Sequence, residues 1–193
     1  VSSVFAAIGT PANTVTVNVI ALRLETQDGA EIRASGTAGL RFTSLVGKSA
    51  HFSEFGMILT VRSNVDTNSE NAKAVGIENF DKESLTAASL KYIDLVSTGS
   101  GFNSYEKNGN TVFNLVLTNI SEAHLTMQYI ARTYVTVEYE GGASETIYSD
   151  VNYASNARSA HNVATLAIQN AEASGLTSEQ IAFIEENYLS KKA

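Results

Sequence analysis

A mainly β fold, an antiparallel β-sandwich with two C-terminal helices packed against it, is what this sequence predicts. Several segments alternate apolar and polar residues with the two-residue period of a half-buried strand. Asn-Gly and Gly-Gly pairs stand between them where hairpins would turn. After Asp150 the apolar spacing changes to that of an amphipathic helix. No repeat and no strand–helix–strand alternation interrupts this order, which disfavours a parallel sheet.

Residues 1–13, rich in Ser, Ala, Gly and Thr around Pro11, read as a leading linker. A single β-rich domain is expected over 14–190, with the sandwich over 14–150 and the helical part over 151–190. In the first strand Val15, Val17 and Val19 alternate with Thr14, Thr16 and Asn18. Gln27-Asp28-Gly29 supplies a turn, and Leu40 and Phe42 flank Arg41 in a short run. Phe55, Met57, Leu59 and Val61 alternate as another strand. The polar stretch 62–83 reads as a long surface excursion, and Leu90–Val96 returns to strand character. Asn108-Gly109 is the strongest hairpin signal. The strand after it, Val112–Ile120, is apolar on both sides and is expected to be central or sandwiched. Thr126–Tyr139 is the longest strand candidate, and Gly141-Gly142 turns it into Glu145–Ser149.

Helices are expected near 155–173 and 178–190. The first carries a stripe of Ala157, Ala160, His161, Ala164, Ala167, Ile168 and Ala171, ended by Gly175. Thr177-Ser178-Glu179-Gln180 fits a capping box, and Ile181, Ile184 and Tyr188 would form the second helix's inner face.

Composition narrows the function classes. Of 193 residues, 44% are apolar, enough for a sizeable core. The net charge is −7, from 20 acidic and 13 basic residues, with no Lys/Arg cluster to track phosphates, so nucleic acid is not an expected partner. Membrane insertion is not expected either, because no apolar run of spanning length occurs. Cysteine is absent, which excludes thiolate chemistry and disulfides and points toward a secreted or cell-surface location.

Five short segments carry a resemblance by their order and spacing. They are Gly39-Leu40-Arg41-Phe42, Glu54-Phe55-Gly56-Met57-Ile58-Leu59-Thr60, Ala131-Arg132-Thr133-Tyr134-Val135, Ile147-Tyr148-Ser149-Asp150 and Ala157-Arg158-Ser159. Together, over roughly residues 30–190, they resemble an uncharacterised module of large secreted and surface proteins of clostridia and ruminococci. Such modules often stand beside dockerins, glycosidases or immunoglobulin-like repeats. The resemblance implies an extracellular location and neighbouring modules in the same polypeptide rather than a particular chemistry. No dockerin-type calcium repeat is present.

No catalytic residue, metal site or cofactor is assigned. Ser159 and His161 are two apart on a predicted helix and diverge, and no Gly-x-Ser-x-Gly elbow occurs. Glu54, Glu138, Glu140 and Asp150 are read as solvated acids rather than a glycosidase pair. Asp66–Glu70 is oxygen-rich but lacks the mid-loop glycine of a calcium-binding EF-hand. Arg41, Arg132 and Arg158 sit among apolar neighbours. They are read as structural ion pairs with carboxylates such as Glu54 or Asp150, because an isolated buried guanidinium costs several kcal/mol. The competing reading is a cleft that takes carboxylates or sugar hydroxyls through the planar donor fork.

The even positions of the long strand form a polar face with one aromatic. If the domain binds a ligand there, Tyr134 and Tyr148 would stack on a sugar while Arg132 and Glu138 hydrogen-bond to it. The expected function is therefore a non-catalytic accessory or adhesion module that binds glycan or cell-wall polysaccharide. The alternatives are a structural spacer without a specific ligand and a glycan-active hydrolase.

Overall fold

The structure, a computed structural model, describes residues 23–190. The predicted strand Thr14–Val19 lies outside them. The described chain is mainly β, in two antiparallel sheets. Its strands are β1 (Leu24–Thr26), β2 (Glu31–Ile32), β3 (Gly39–Gly47), β4 (Phe52–Val61), β5 (Ile93–Val96), β6 (Ser104–Lys107), β7 (Asn110–Thr118), β8 (Tyr129–Glu138), β9 (Ser144–Tyr148) and β10 (Ala157–Arg158). The helices are α1 (Lys82–Ala87), α2 (Tyr153–Asn156), α3 (Ala160–Gln169) and α4 (Ser178–Ile184), with a π turn over Glu185–Leu189. The first sheet has the order β1-β3-β7-β6, with β2 also on β3. The second has the order β10-β8-β4-β5, with β9 also on β8.

Alternation explains what the sheets share. Leu40, Phe42 and Val46 of β3 and Phe113 and Leu115 of β7 form one apolar cluster with Met57 and Leu59 of β4 and Ala131, Val135 and Val137 of β8. Polar residues inside it are paired. Thr26 Oγ1 lies 2.8 Å from both Thr133 Oγ1 and Ser149 Oγ, the Thr133 amide donates to Thr26 Oγ1 at 2.8 Å, and Ser44 also meets Thr133. This hydroxyl cluster ties β1 and β3 to β8 without leaving a buried donor unmet.

The expected surface excursion instead forms a second core. Residues 62–92 fold over the outer face of the second sheet, so that Val65, Phe80 and Leu85 bury with Ile58, Ile130 and Tyr134. Within it α1 starts at Asp81, whose carboxylate accepts the Ser84 amide at 2.6 Å. Sequence periodicity is silent about α1, which is six residues long and buries only Leu85. Gly56 lies under this layer. A Cβ there would stand 2.5 Å from the Tyr134 hydroxyl and closer still to the Leu95 carbonyl oxygen, so only glycine fits.

At the C-terminal end the capping box of Thr177 and Gln180 is present, and Ile184 and Tyr188 are buried as expected from their spacing. The Tyr188 hydroxyl accepts the Gly39 amide at 2.8 Å and donates to the Arg33 carbonyl at 2.9 Å, docking the last turn on the β2–β3 connection. The expected first helix is shorter. Tyr153–Asn156 forms α2, Ala157-Arg158 pairs with β8 as β10, and Ser159 caps α3. Arg158 therefore lies in a strand rather than opening the helix. Val163 and Ala164 face inward, with Ala160, as the stripe requires.

Candidate functional site

The structure brings together three of the four residues expected to bind a sugar, with Arg132 and Tyr148 half-buried and Tyr134 fully covered. Tyr134 and Tyr148 are direct cross-strand partners, their ring centroids 5.8 Å apart and tilted by 47°. The Arg132 guanidinium lies 5.3 Å from the Tyr148 ring centroid. Yet Tyr134 is 0% exposed. Lys82 Nζ sits 3.9 Å over its ring, and its hydroxyl donates to Asp94 Oδ1 at 2.9 Å. The Tyr148 hydroxyl accepts the Lys82 amide at 3.1 Å. Burial pushes the hydroxyls of both tyrosines above the ordinary phenol range, with Asp94 adding to the shift at Tyr134. A ring with no exposed face cannot stack on a sugar, so the aromatic platform expected from alternation is packed beneath α1. Glu138 lies apart, exposed, at the end of β8.

The arginine pairs are also reassigned. Arg132 Nε donates to the Ser149 carbonyl at 2.7 Å and Nη1 to the Phe80 carbonyl at 2.9 Å. It thus clasps the excursion to the sheet through backbone carbonyls rather than through a carboxylate. Burial lowers its guanidinium below the ordinary value, and Asp81 and Asp150 oppose that shift. Arg158 donates to the Ala154 and Ala157 carbonyls, both at 2.7 Å. Arg41 does pair with a carboxylate, but it is Glu31 on the neighbouring β2. Glu54 faces Lys82 instead, at 3.8 Å, and Asp94 lies 3.5 Å from the same ammonium. In the oxygen-rich loop, Asp66 accepts the Asn68 amide at 3.0 Å and pairs with Arg62, which together hold its carboxyl below the usual range. Among the described residues no group of three or more His, Asp or Glu converges as metal ligands would.

The arrangement with room for a ligand is a cleft of about 500 Å³ at one side of the two sheets. It is lined by Arg33, Arg41, Asn103 and Asn114, and by Ile93 and Asp94 on the facing edge strand β5. Strand lengths create it. β6 pairs with β7 only over Asn110–Phe113, whereas β3 pairs with β7 along its whole length. β7 is central in its sheet as expected, between β3 and β6 over Asn110–Phe113, and beyond Asn114 it becomes an edge among the described residues. Gly101, at positive φ, turns the chain just before β6.

The cleft offers hydrogen-bonding groups of both kinds. Asn114 Oδ1 accepts from Thr43 at 2.7 Å, leaving its amide nitrogen available, and Asn103 Nδ2 donates to Gly101, leaving its carbonyl oxygen. Arg33 has no carboxylate within ion-pair distance among the described residues. Asp94, the one acid on the lining, is engaged by Tyr134 and Lys82, and no histidine lines the cleft. Hydrogen-bonded recognition is within the reach of such groups. No protein-family model, curated protein or solved structure matches the chain.

Proposed function

We propose that this chain is a non-catalytic accessory or adhesion module of a multimodular extracellular protein, and that the cleft between β5 and β7 is its ligand site. We also take the two sheets as the faces of a β-sandwich, with the cleft at its open side. The observation that carries the reading is the lining itself: guanidinium and amide groups at an open strand edge, with the lone carboxylate occupied by internal partners. The extracellular setting rests on the lack of cysteine and on the resemblance to modules of secreted clostridial and ruminococcal proteins.

A glycan is a second reading for the same cleft, favoured by the Asn103 side-chain oxygen and the Asn114 side-chain nitrogen, which suit sugar hydroxyls as acceptor and donor. The test is binding of the native chain to arrays of cell-wall glycans and of extended peptides, repeated with Arg41→Gln. Arg41 is exposed, so the variant keeps the fold. Native binding that falls at least tenfold in the variant, about 1.4 kcal/mol, is the expected result. Binding of nothing on either array would favour a spacer, and release of cleaved glycan would overturn the non-catalytic reading.

A further inference from the structure

The backbone at the cleft has a polarity that the side chains alone do not reveal. The Gly39 amide donates to Tyr188 and its carbonyl accepts from Arg33, so both point away from β7. Thr43 likewise turns its carbonyl toward Gln27 on the β1 side. Gly39 is the register partner of Thr118, and Thr43 of Asn114. In an antiparallel ladder, paired residues that turn away from each other are the non-hydrogen-bonded pairs. Asn114, Val116 and Thr118 therefore turn their N–H and C=O groups away from β3; the Ser104↔Phe113 pairing sets the Asn114 amide against Asn103, while Val116, at the cleft, and Thr118 beyond it face out of the sheet edge among the described residues.

Among the described residues this edge has none of the usual protection. Asn114-Leu115-Val116-Leu117-Thr118 contains no proline, lysine or other charge, and no bulge interrupts its pairing with β3. The two sides of the edge differ in chemistry. Leu115 turns inward into the cluster shared by the sheets, where Leu95 and the exposed Ile93 continue an apolar wall. Val116 turns outward and is paired with Arg41, and Arg33 completes the cleft's cationic side. An added strand would present alternate side chains to these two environments.

We infer that the open edge of β7 from Asn114 to Thr118 takes an extended polypeptide by strand addition, and that this partner alternates acidic and apolar residues. The proposal rests on the reading of the cleft as the ligand site and names its ligand class. Main-chain hydrogen bonds to Val116 and Thr118 hold the segment. Arg33, and Arg41 by sharing its guanidinium with Glu31, select its outward acidic residues, and Ile93, Leu95 and Leu115 its inward apolar ones. The edge is roughly 17 Å long at the usual strand rise, matching a partner of about five residues.

The probe is a synthetic heptapeptide alternating Glu and Val, with capped ends, titrated into the full chain by calorimetry. Three comparisons accompany it: the same residues in blocked order, the same peptide N-methylated at alternate amides, and the Val116→Pro protein. Proline is tolerated where the lost N–H faces away from the ladder, so Val116→Pro should keep its circular dichroism and melting temperature while blocking the edge. The expected result is micromolar binding of the alternating peptide, weakened at least tenfold by N-methylation, by blocked order and by Val116→Pro. The N-methylated peptide keeps this conclusion independent of whether the proline variant folds. Equal binding of the methylated and unmethylated peptides would overturn strand addition. A glycan bound in an Arg41-dependent way, with no peptide binding, would overturn the peptide inference and leave the cleft as the ligand site. Binding of neither class would overturn both.

Discussion

Replacing Tyr134 with alanine is expected to cost about 3 to 5 kcal/mol of folding free energy, the range for emptying a buried aromatic site. The ring has no exposed surface, packs against Tyr148 and lies beneath the Lys82 ammonium. Truncation therefore opens a void between the sheet and α1 and removes the cation's aromatic partner together with the donor to Asp94. Tyr134→Phe removes only the hydroxyl and is expected to cost about 1 kcal/mol, the typical worth of one hydrogen bond. Urea titration reads both, as shifts of the midpoint at unchanged slope. A native midpoint for Tyr134→Ala would mean that the ring is not part of the core and would return the β8–β9 face to the list of ligand surfaces.

Arg132→Ala is expected to cost about 3 kcal/mol, because two carbonyls, of Ser149 and Phe80, lose a charged donor at once. Phe80 belongs to the excursion and Ser149 follows β9, so the guanidinium joins segments far apart in the chain. The planar fork reaches both acceptors from one side chain. Arg132→Lys keeps the charge but not the fork, and should recover less than half of the loss. The same urea titration decides it. An unchanged midpoint for Arg132→Ala would remove the residue from the account of how the excursion is held.

Local rules were readable wherever the chain's own neighbours decide its conformation. The turn at Asn108-Gly109 has both residues at positive φ, as a two-residue hairpin requires. The capping box at Thr177 and the alternation of Phe55, Met57, Leu59 and Val61 depend on residues a few positions apart, and all were legible. What escaped depends on distant parts of the chain. Tyr134 occupies an even position of a strand whose even positions are polar at Arg132, Thr136 and Glu138 and apolar only at Ile130, so alternation assigns it to solvent; the return of residues 62–92 over that face buries it with Ile130. Arg132 looks like half of an ion pair because the sequence does not show that two backbone carbonyls converge on it. Arg33, Asn103 and Asn114 carry no motif, and their meeting depends on β6 ending before β7 does. Arg41 alone was recognised beforehand as a cleft residue in one of its two readings.

Amide hydrogen exchange measured residue by residue tests most directly whether β7 carries an open, outward-facing edge at the cleft. The amides of Leu115 and Leu117 point to β3 and should exchange slowly. Those of Val116 and Thr118 face out of the edge and should exchange at least a hundredfold faster, unlike the Val112 and Asn114 amides on the same side of the strand, which the β6 segment protects. A staircase of alternating slow and fast amides from 115 to 118 is the predicted result. Uniform slow exchange along all of β7 in the free protein would show the edge already paired, and would contradict the claim.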